Sequence, residues 1–269
     1  MPFASVNNAR LWYDILGTEG DVILMHHGYT ASRVNWMPVA ERLKDRYRIV
    51  LMECRGTGES EDTRDGYSIE QYGEDAVALM STLGFQTFTF AGHSMGGGIG
   101  MYLGLEHPDR LEKLILMASV GSKGLVGDSF RVNLAERLEA RRRHDRDFFL
   151  QEQQASRFRP DVQTAAWMNS RVDHLMRVSD GHLVDSLHSM QQMDYTDRLK
   201  DLRTPTLVLA GGVDPLLDAN IEDYRRLPDA ALHVLFRAGH DVAVHEPDAV
   251  AGVIDQFMVH GPVNARTLR

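Results

Sequence analysis

Cysteine is nearly absent from this sequence, since Cys54 is the single one among 269 residues. One thiol cannot form an intramolecular disulfide, and it cannot supply the repeated cysteine spacing that zinc sites use. We therefore expect neither a disulfide-stapled scaffold nor a bound metal. No motif in the chain indicates an organic cofactor, and we expect none.

Long apolar runs are also missing. No stretch approaches the roughly 20 residues that a helix needs to span a bilayer. The segment from Met1 to Arg10 has no basic portion followed by an apolar one, as a secretory signal would have. From these features we expect no membrane association and a cytoplasmic location.

Basic residues are not in excess, because the formal net charge is −9 at pH 7. Nucleic-acid binding rewards clustered Lys and Arg with counterion release, so this balance disfavours it. The densest basic run, Arg141 to Arg143, is interleaved with acidic residues, which favours a solvated helix face over an anion site. We expect a small-molecule substrate as the partner, no nucleic acid, and a monomer or homodimer.

What the chain does contain is a regular alternation of short apolar runs and helical stretches. The predicted strands cover 3–6, 9–16, 22–25, 48–52, 85–91, 113–118, 206–211 and 232–236. Short buried strands that alternate with helices are typical of a mostly parallel sheet covered on both faces. The sequence therefore predicts an α/β fold with a mostly parallel eight-stranded sheet flanked by helices.

One interval interrupts this alternation. About eighty residues between Ser119 and Thr206 show helical patterning without a convincing strand, which is far more than a crossover needs. We predict a helical cap over residues 121–203, inserted in a core formed by residues 1–120 and 204–269. Its aromatic and methionine side chains either pack on the core or form an apolar inner face. The candidate substrate-pocket residues are Trp167, Met193 and His93.

The sharpest motif is Gly92-His93-Ser94-Met95-Gly96, a G-x-S-x-G pattern between a predicted strand and a predicted helix. The tight turn of a nucleophile elbow leaves no room for a β-carbon at the flanking positions. The helix that follows directs its amides to the place where negative charge develops in acyl transfer. We predict Ser94 as a nucleophile, and a glycine-rich packing turn is the alternative.

A serine hydroxyl needs a base to become a good nucleophile. Among the twelve histidines, His240 follows a predicted strand on a loop at the carboxyl edge of the sheet. A carboxylate that orients the imidazole should end another strand, and Asp214 does so, with Pro215 keeping it out of a helix. Asp218 is the alternative, although it is more typical of a helix N-cap.

The remaining histidines have other interpretations. The predicted cap contains four that we expect to be solvent-facing or structural: His144, His174, His182 and His188. We expect His245 to begin the last helix or to cap a groove.

Two backbone amides are needed to bind an oxyanion, one from the residue after the nucleophile and one from a loop after an earlier strand. Met95 supplies the first. Tyr29 supplies the second, because Gly28 eases the approach of the chain that follows the strand at 22–25. Ordinary loop polarity is the alternative interpretation of the neighbouring His26 and His27.

Over essentially its whole length, the sequence resembles the α/β-hydrolase superfamily, which uses the same chain order of serine, acid and histidine. The stretch from Glu53 to Ser60 is similar to that superfamily's D-x-R-G-x-G-x-S loop, with Glu53 at the usual aspartate position. The ending from His240 resembles the superfamily's G-H-x4-x-E-x-P pattern, although Glu246 and Pro247 are adjacent.

The compact, lidded build resembles small esterases, enol-lactonases and N-acyl homoserine lactone lactonases of this fold. The resemblance implies hydrolysis of a carboxylic ester or lactone through an acyl-enzyme, with N-acyl homoserine lactones among the candidate substrates. A serine-dependent C–C bond hydrolase and a ligand receptor that keeps the triad are the alternatives. Dehalogenases and epoxide hydrolases are disfavoured, because they carry aspartate where this chain has Ser94.

Overall fold

A computed structural model describes residues 2–126 and 133–264 of the chain. In these ranges one eight-stranded sheet has the strand order β1-β2-β4-β3-β5-β6-β7-β8. The strands are β1 (Phe3–Val6), β2 (Ala9–Leu16), β3 (Val22–His26), β4 (Arg48–Met52), β5 (Phe88–His93), β6 (Leu111–Met117), β7 (Thr206–Gly211) and β8 (Ala230–Leu235). The α-helices are α1 (Met37–Leu43), α2 (Ile69–Thr82), α3 (Met95–Glu106), α4 (Leu134–Arg142), α5 (Arg146–Ala155), α6 (Ala165–Arg177), α7 (Leu187–Gln192), α8 (Leu217–Arg226), α9 (Val242–His245) and α10 (Pro247–His260).

The sheet is antiparallel at one edge and parallel elsewhere. Strand β2 runs antiparallel to both β1 and β4, and every pair from β4 through β8 is parallel. The predicted α/β fold with a mostly parallel eight-stranded sheet is therefore confirmed. Because their strands are parallel, the loops that follow β3, β5, β7 and β8 all emerge at one edge.

Side chains along each central strand alternate between two apolar clusters. In β3, Leu24 packs with α2 and α3 on one face, whereas Ile23 and Met25 pack with α1 and α10 on the other. Neither face of these strands meets water, which explains why the strands are continuous apolar runs in the sequence.

Three predicted strand boundaries were wrong by two or three residues at the start. Strand β5 begins at Phe88 because Gly84, at φ +86°, and Phe85, whose amide bonds to Met80, still belong to the end of α2. Strands β6 and β8 each begin two residues earlier than predicted. Phe236, assigned to the last strand, is 81% exposed in the turn after it.

The chain between β6 and β7 carries α4 to α7 and a π-helical turn at His182–Ser186. No strand occurs in its described residues, 121–126 and 133–203, and we call this part of the chain the helical segment. Phe149, Val172 and Leu175 form a small apolar core within it, whereas Met190 and Met193 pack into the core beneath the sheet's α2 and α3 face. Of the helices described, none is both long and apolar enough to cross a membrane.

Candidate active site

Ser94 lies in a strained turn between β5 and α3, with φ +56° and ψ −113°. This backbone conformation is rare for a residue with a side chain. A β-carbon on Gly92 would lie 2.0 Å from the carbonyl oxygen of Gly96, and one on Gly96 would lie 2.7 Å from that of His26. Both glycines are therefore required by contact, as the G-x-S-x-G pattern predicts for an elbow.

The structure brings the three predicted triad residues together. The Oγ of Ser94 lies 3.0 Å from Nε2 of His240. Nδ1 of His240 lies 3.1 Å from Oδ2 and 3.2 Å from Oδ1 of Asp214. When Nδ1 donates to this carboxylate, Nε2 is left to accept the serine proton. The Asp214 side chain is buried, and its Oδ1 also accepts a hydrogen bond from the amide of Leu216 at 3.0 Å.

The carboxylate sets the ionisation of the imidazole. Burial alone would lower the pKa of His240, but the hydrogen bond and the charge of Asp214 outweigh burial and raise that pKa above its ordinary value of 6.5. Burial would likewise raise the pKa of Asp214, yet its hydrogen bond and charge interaction with His240 lower it. The pair thus favours a charged carboxylate that stabilises a protonated imidazole.

The loop after β3 meets the elbow where the predicted oxyanion donors should lie. A β-carbon on Gly28 would lie 2.8 Å from Cβ of Ser94, so only glycine allows this approach. The amides of Tyr29 and Met95 flank that contact, and neither donates a hydrogen bond to another described group. The Tyr29 hydroxyl is anchored instead by donating to the Leu183 carbonyl at 2.7 Å.

Three side chains of the helical segment hold this loop, and sequence reasoning did not find that role. Thr30 has φ +52°, and its amide donates to Nε2 of His182 at 3.3 Å. Nη1 of Arg171 donates to the Thr30 carbonyl at 3.0 Å, and Nε2 of His174 donates to the Ala31 carbonyl at 2.6 Å. His174 and His182 are buried, so they belong to the structural class foreseen for them. No motif in the segment could have pointed to these contacts.

A cavity of about 450 Å³ opens beside His240. Its walls include Phe158, Arg171, Val213 and Pro215. The predicted pocket residues Trp167 and Met193 are not among its lining residues.

Met193 is buried against α3, where its Sδ would lie 3.2 Å from a β-carbon on Gly98. It also borders a separate cleft of about 360 Å³ with Tyr67 and Ser68. The structure therefore does not bring Trp167 and Met193 to the cavity beside His240. Periodicity gave no information on which helix face meets that edge of the sheet.

His93 and His245 support the loop that carries His240. Nε2 of His93 donates to the His240 carbonyl at 2.9 Å, and the two rings lie 4.9 Å apart. Nδ1 of His245 accepts from the Gly239 amide at 3.0 Å. His245 ends α9 instead of beginning a helix.

Asp218 is not a helix N-cap. Helix α8 begins at Leu217, so Asp218 is its second residue and the N-cap interpretation of Asp218 was wrong.

Glu53, which stands at the usual aspartate position of the stretch from Glu53 to Ser60, has specific partners. Glu53 accepts from Arg33 at 2.7 Å through Oε1 and from the Glu59 amide at 2.8 Å through Oε2. A β-carbon on Gly58 would lie 1.9 Å from Oε2 of Glu53. The longer side chain thus occupies the space that the glycine leaves.

The arrangement brings together a serine hydroxyl, an imidazole hydrogen-bonded to a carboxylate, and two amides that donate to no other described group. Groups of these types are the ones that acyl transfer requires. Within the described ranges, no three His, Cys, Asp or Glu side chains are grouped as metal ligands would be. Cys54 is buried, and burial raises the pKa of its thiol well above the ordinary range.

Residues 21–247 match the family described as the alpha/beta hydrolase fold. The chain belongs to the α/β-hydrolase family. This α/β hydrolase is 28% identical, over an alignment 284 positions long, to "Putative carbamate hydrolase RutD" from Caulobacter sp. (strain K31), with 92% of this chain and 95% of that protein covered. The resemblance inferred from the motifs is therefore confirmed at the level of the superfamily.

Solved structures share the fold of this α/β hydrolase. The enol-lactonase from Burkholderia xenovorans LB400 is similar with a TM-score of 0.85 and 22% identity, over 96% of this chain and 100% of that one. Est816, described as an N-acyl homoserine lactone degrading enzyme, is similar with a TM-score of 0.79 and 23% identity, over 95% and 100% of the two chains. At these identities the likeness shows the fold.

Proposed function

We propose that this α/β hydrolase is a serine hydrolase that cleaves a carboxylic ester or lactone through an acyl-enzyme. The observation that carries the proposal is the continuous contact from Ser94 Oγ through His240 to Asp214, at 3.0 Å and 3.1 Å. The amides of Tyr29 and Met95 also support it, because they flank the contact between Gly28 and Ser94 and donate to no other described group.

In the proposed reaction, Oγ of Ser94 forms a bond to the substrate carbonyl carbon while Nε2 of His240 takes the hydroxyl proton. The carbonyl oxygen becomes an oxyanion and accepts hydrogen bonds from the amides of Tyr29 and Met95. The bond to the leaving alkoxide then breaks, and His240 gives its proton to that oxygen. A water molecule repeats the sequence on the acyl-enzyme and releases the acid, while Asp214 keeps the imidazole oriented.

A carbamate is the second candidate substrate class, because relatives called carbamate hydrolases align over nine-tenths of this chain. Attack on a carbamate carbonyl uses the same nucleophile and the same oxyanion donors, so the site geometry suits both classes.

We also propose that residues 121–203 act as a cap over the site. The helical segment provides Phe158 and Arg171 to the cavity beside His240, and it bonds to the loop that carries Tyr29. A segment in this position shields the acyl-enzyme from bulk water.

The test compares a substrate panel on the wild-type protein and on Ser94→Ala, with Ser81→Ala on the exposed surface of α2 as the matched control. The panel contains short and long nitrophenyl esters, N-acyl homoserine lactones, aromatic lactones, a carbamate and a vinylogous ketone for C–C cleavage. We expect Ser94→Ala to lose about 10³-fold or more of kcat/KM with an unchanged circular dichroism spectrum. A fluorophosphonate should label Ser94 alone. Full turnover by Ser94→Ala would overturn the proposal.

A further inference from the structure

Arg171 projects from α6 into the cavity that contains His240. The helix is held in place, because Val172 and Leu175 are buried in the apolar core of the helical segment. The guanidinium lines the cavity together with His240, Asp241 and Gln163. Ser94 does not itself line the cavity, but its Oγ lies 3.0 Å from Nε2 of His240, which does. A ligand attacked by Ser94 would therefore extend past His240 towards this cation.

Arg171 forms no direct ion pair in the part of the chain that the structure describes, although the charge of Asp241 acts on it and opposes the effect of burial on its pKa. Its one hydrogen bond, from Nη1 to the Thr30 carbonyl at 3.0 Å, uses one of five N–H donors. Burial lowers the pKa of Arg171, yet an arginine side chain stays charged in proteins. Five other partly or fully buried arginines each pair with a carboxylate: Arg33, Arg55, Arg137, Arg141 and Arg159. Arg48 and Arg110, which are also partly buried, donate to carbonyl or hydroxyl oxygens instead, and neither of them lines the cavity.

Asp241 is the carboxylate that faces the same cavity, and it is engaged elsewhere. Its Oδ1 accepts from the Asn35 amide at 3.1 Å, and its Oδ2 lies 3.5 Å from the Gln163 amide. It forms no ion pair with Arg171. Removing a cation from water without a paired anion costs free energy, so an anionic ligand group would complete the site.

The walls of the cavity define how such a ligand is built. Phe158, Val213 and Pro215 provide apolar surface, and the volume of about 450 Å³ suits a small molecule. The guanidinium fork binds a carboxylate through two parallel hydrogen bonds. The ligand would then have a reactive carbonyl at one end and a carboxylate at the other, joined by a short apolar chain.

We propose that Arg171 forms a carboxylate-binding subsite, and that the substrates of this enzyme are esters or lactones that carry a second, negatively charged carboxylate. This inference rests on the proposed hydrolase function. Because Arg171 also binds the Thr30 carbonyl, a bound carboxylate would be held by the same side chain that supports the oxyanion loop.

The experiment compares two esters of similar shape, p-nitrophenyl butyrate, which is neutral, and p-nitrophenyl hemisuccinate, which ends in a carboxylate. The measured quantity is the ratio of kcat/KM for the charged ester to that for the neutral one. We expect the wild-type ratio to exceed one and to fall at least tenfold in Arg171→Gln. Arg171→Lys should keep an intermediate ratio, because it keeps the charge without the planar fork.

Arg143→Gln is the matched control, because it removes the same charge from an exposed side chain of the helical segment that pairs with Glu139. Its ratio should equal that of the wild type. A second readout is the acid limb of the pH profile for the neutral ester. Burial and the charges of Asp214 and Asp241 act more strongly on His240, and the charge of Arg171 also lowers its pKa, so Arg171→Gln should move this limb to higher pH.

The outcomes separate the inference from the function on which it rests. An equal loss for both esters in Arg171→Gln, or a wild-type ratio of one or less, would overturn the subsite while the hydrolase assignment stands. If wild type hydrolyses neither ester, or Ser94→Ala hydrolyses both, the proposed function fails. The subsite is then decided by calorimetry with glutarate: binding that Arg171→Gln abolishes and Arg143→Gln retains supports it, and absence of binding refutes it.

Discussion

The backbone amide of Thr30 donates to Nε2 of His182 at 3.3 Å, and this bond joins the loop after β3 to the helical segment. Nδ1 of the same imidazole lies 2.7 Å from the Tyr72 hydroxyl on α2, so it donates while Nε2 accepts. Thr30 is a β-branched residue at φ +52°, a conformation that persists only where surrounding contacts impose it. His182 is thus placed to fix the backbone direction of Tyr29.

Replacing His182 by alanine should therefore impair the reaction more than binding. We expect kcat to fall about 10- to 100-fold with a smaller change in KM, because a misplaced oxyanion donor weakens the transition state selectively. The measurement is steady-state kinetics on a nitrophenyl ester. His188→Ala is the control, because His188 is an exposed histidine on the neighbouring helix α7. This variant should leave kcat unchanged.

Stability must be measured on the same variants, because His182 is fully buried. Its loss removes the hydrogen bonds that the imidazole makes with the Tyr72 hydroxyl and the Thr30 amide. Each buried group left unsatisfied lowers the free energy of unfolding by about 1–3 kcal/mol. A lowered free energy of unfolding with unchanged kcat would show that His182 serves stability alone.

The acid limb of the pH profile should report His240. Because the base must be neutral and its pKa is raised above 6.5, kcat/KM should fall as the pH drops through a midpoint above 6.5. Asp214→Asn removes the charge that raises this pKa and leaves burial, which lowers it, so the limb should move to lower pH. Activity should also fall about 10⁴-fold. A wild-type midpoint below 6.5, or one that Asp214→Asn leaves in place, would contradict this assignment.

Buried neutral histidines should make the fold sensitive to acid. Burial lowers the pKa of His26 and His93 to about 4 and that of His174 and His182 to about 3. The unfolded chain binds these protons near pH 6.5, so the folded state loses stability as the pH falls from about 6.5 toward 4. Each site contributes up to about 1.4 kcal/mol per pH unit, and His240, whose pKa is raised, contributes in the opposite sense.

Denaturant titrations at several pH values test this dependence. His174→Gln removes one titrating group and keeps an amide donor for the Ala31 carbonyl. The slope of the unfolding free energy against pH should therefore decrease by up to about 1.4 kcal/mol per pH unit, the contribution of one proton. A free energy of unfolding that stays constant from pH 6.5 to 4 would refute the prediction.

Two glycine substitutions should have opposite effects on stability. Gly92→Ala places a β-carbon 2.0 Å from the Gly96 carbonyl oxygen, a backbone atom that cannot move aside, so we expect a loss of about 3 kcal/mol or more. Gly252→Ala, within α10, meets nothing within 4 Å and should gain about 0.5–1 kcal/mol from helix propensity. The denaturation midpoints of both variants measure this contrast, and equal shifts would be inconsistent with it.

Local signals account for the parts of the molecule that the sequence predicts well. The strand pattern predicts the sheet because the central strands β3, β4, β5 and β7 are buried on both faces. Ser94, Asp214 and His240 each follow a strand, so the parallel sheet alone brings them to one edge. Their assignment needs no knowledge of how distant helices pack.

Contacts between distant segments account for what the sequence does not predict. Arg171 and His182 lie on helices with no motif, and their roles depend on how α6 and the π-helical turn meet the loop after β3. The start of β5 depends on a bond from the Phe85 amide to Met80. Side-chain periodicity carries no information about such tertiary contacts.

The three bonds from Arg171, His174 and His182 to the Thr30 and Ala31 backbone also constrain protein engineering. Replacing residues 121–203 with the corresponding segment of a relative would change the walls of the cavity beside His240. It would also remove the three hydrogen bonds that hold the loop after β3. A chimaera of this kind must keep these three side chains, or acquire equivalent ones, in order to turn over a new substrate.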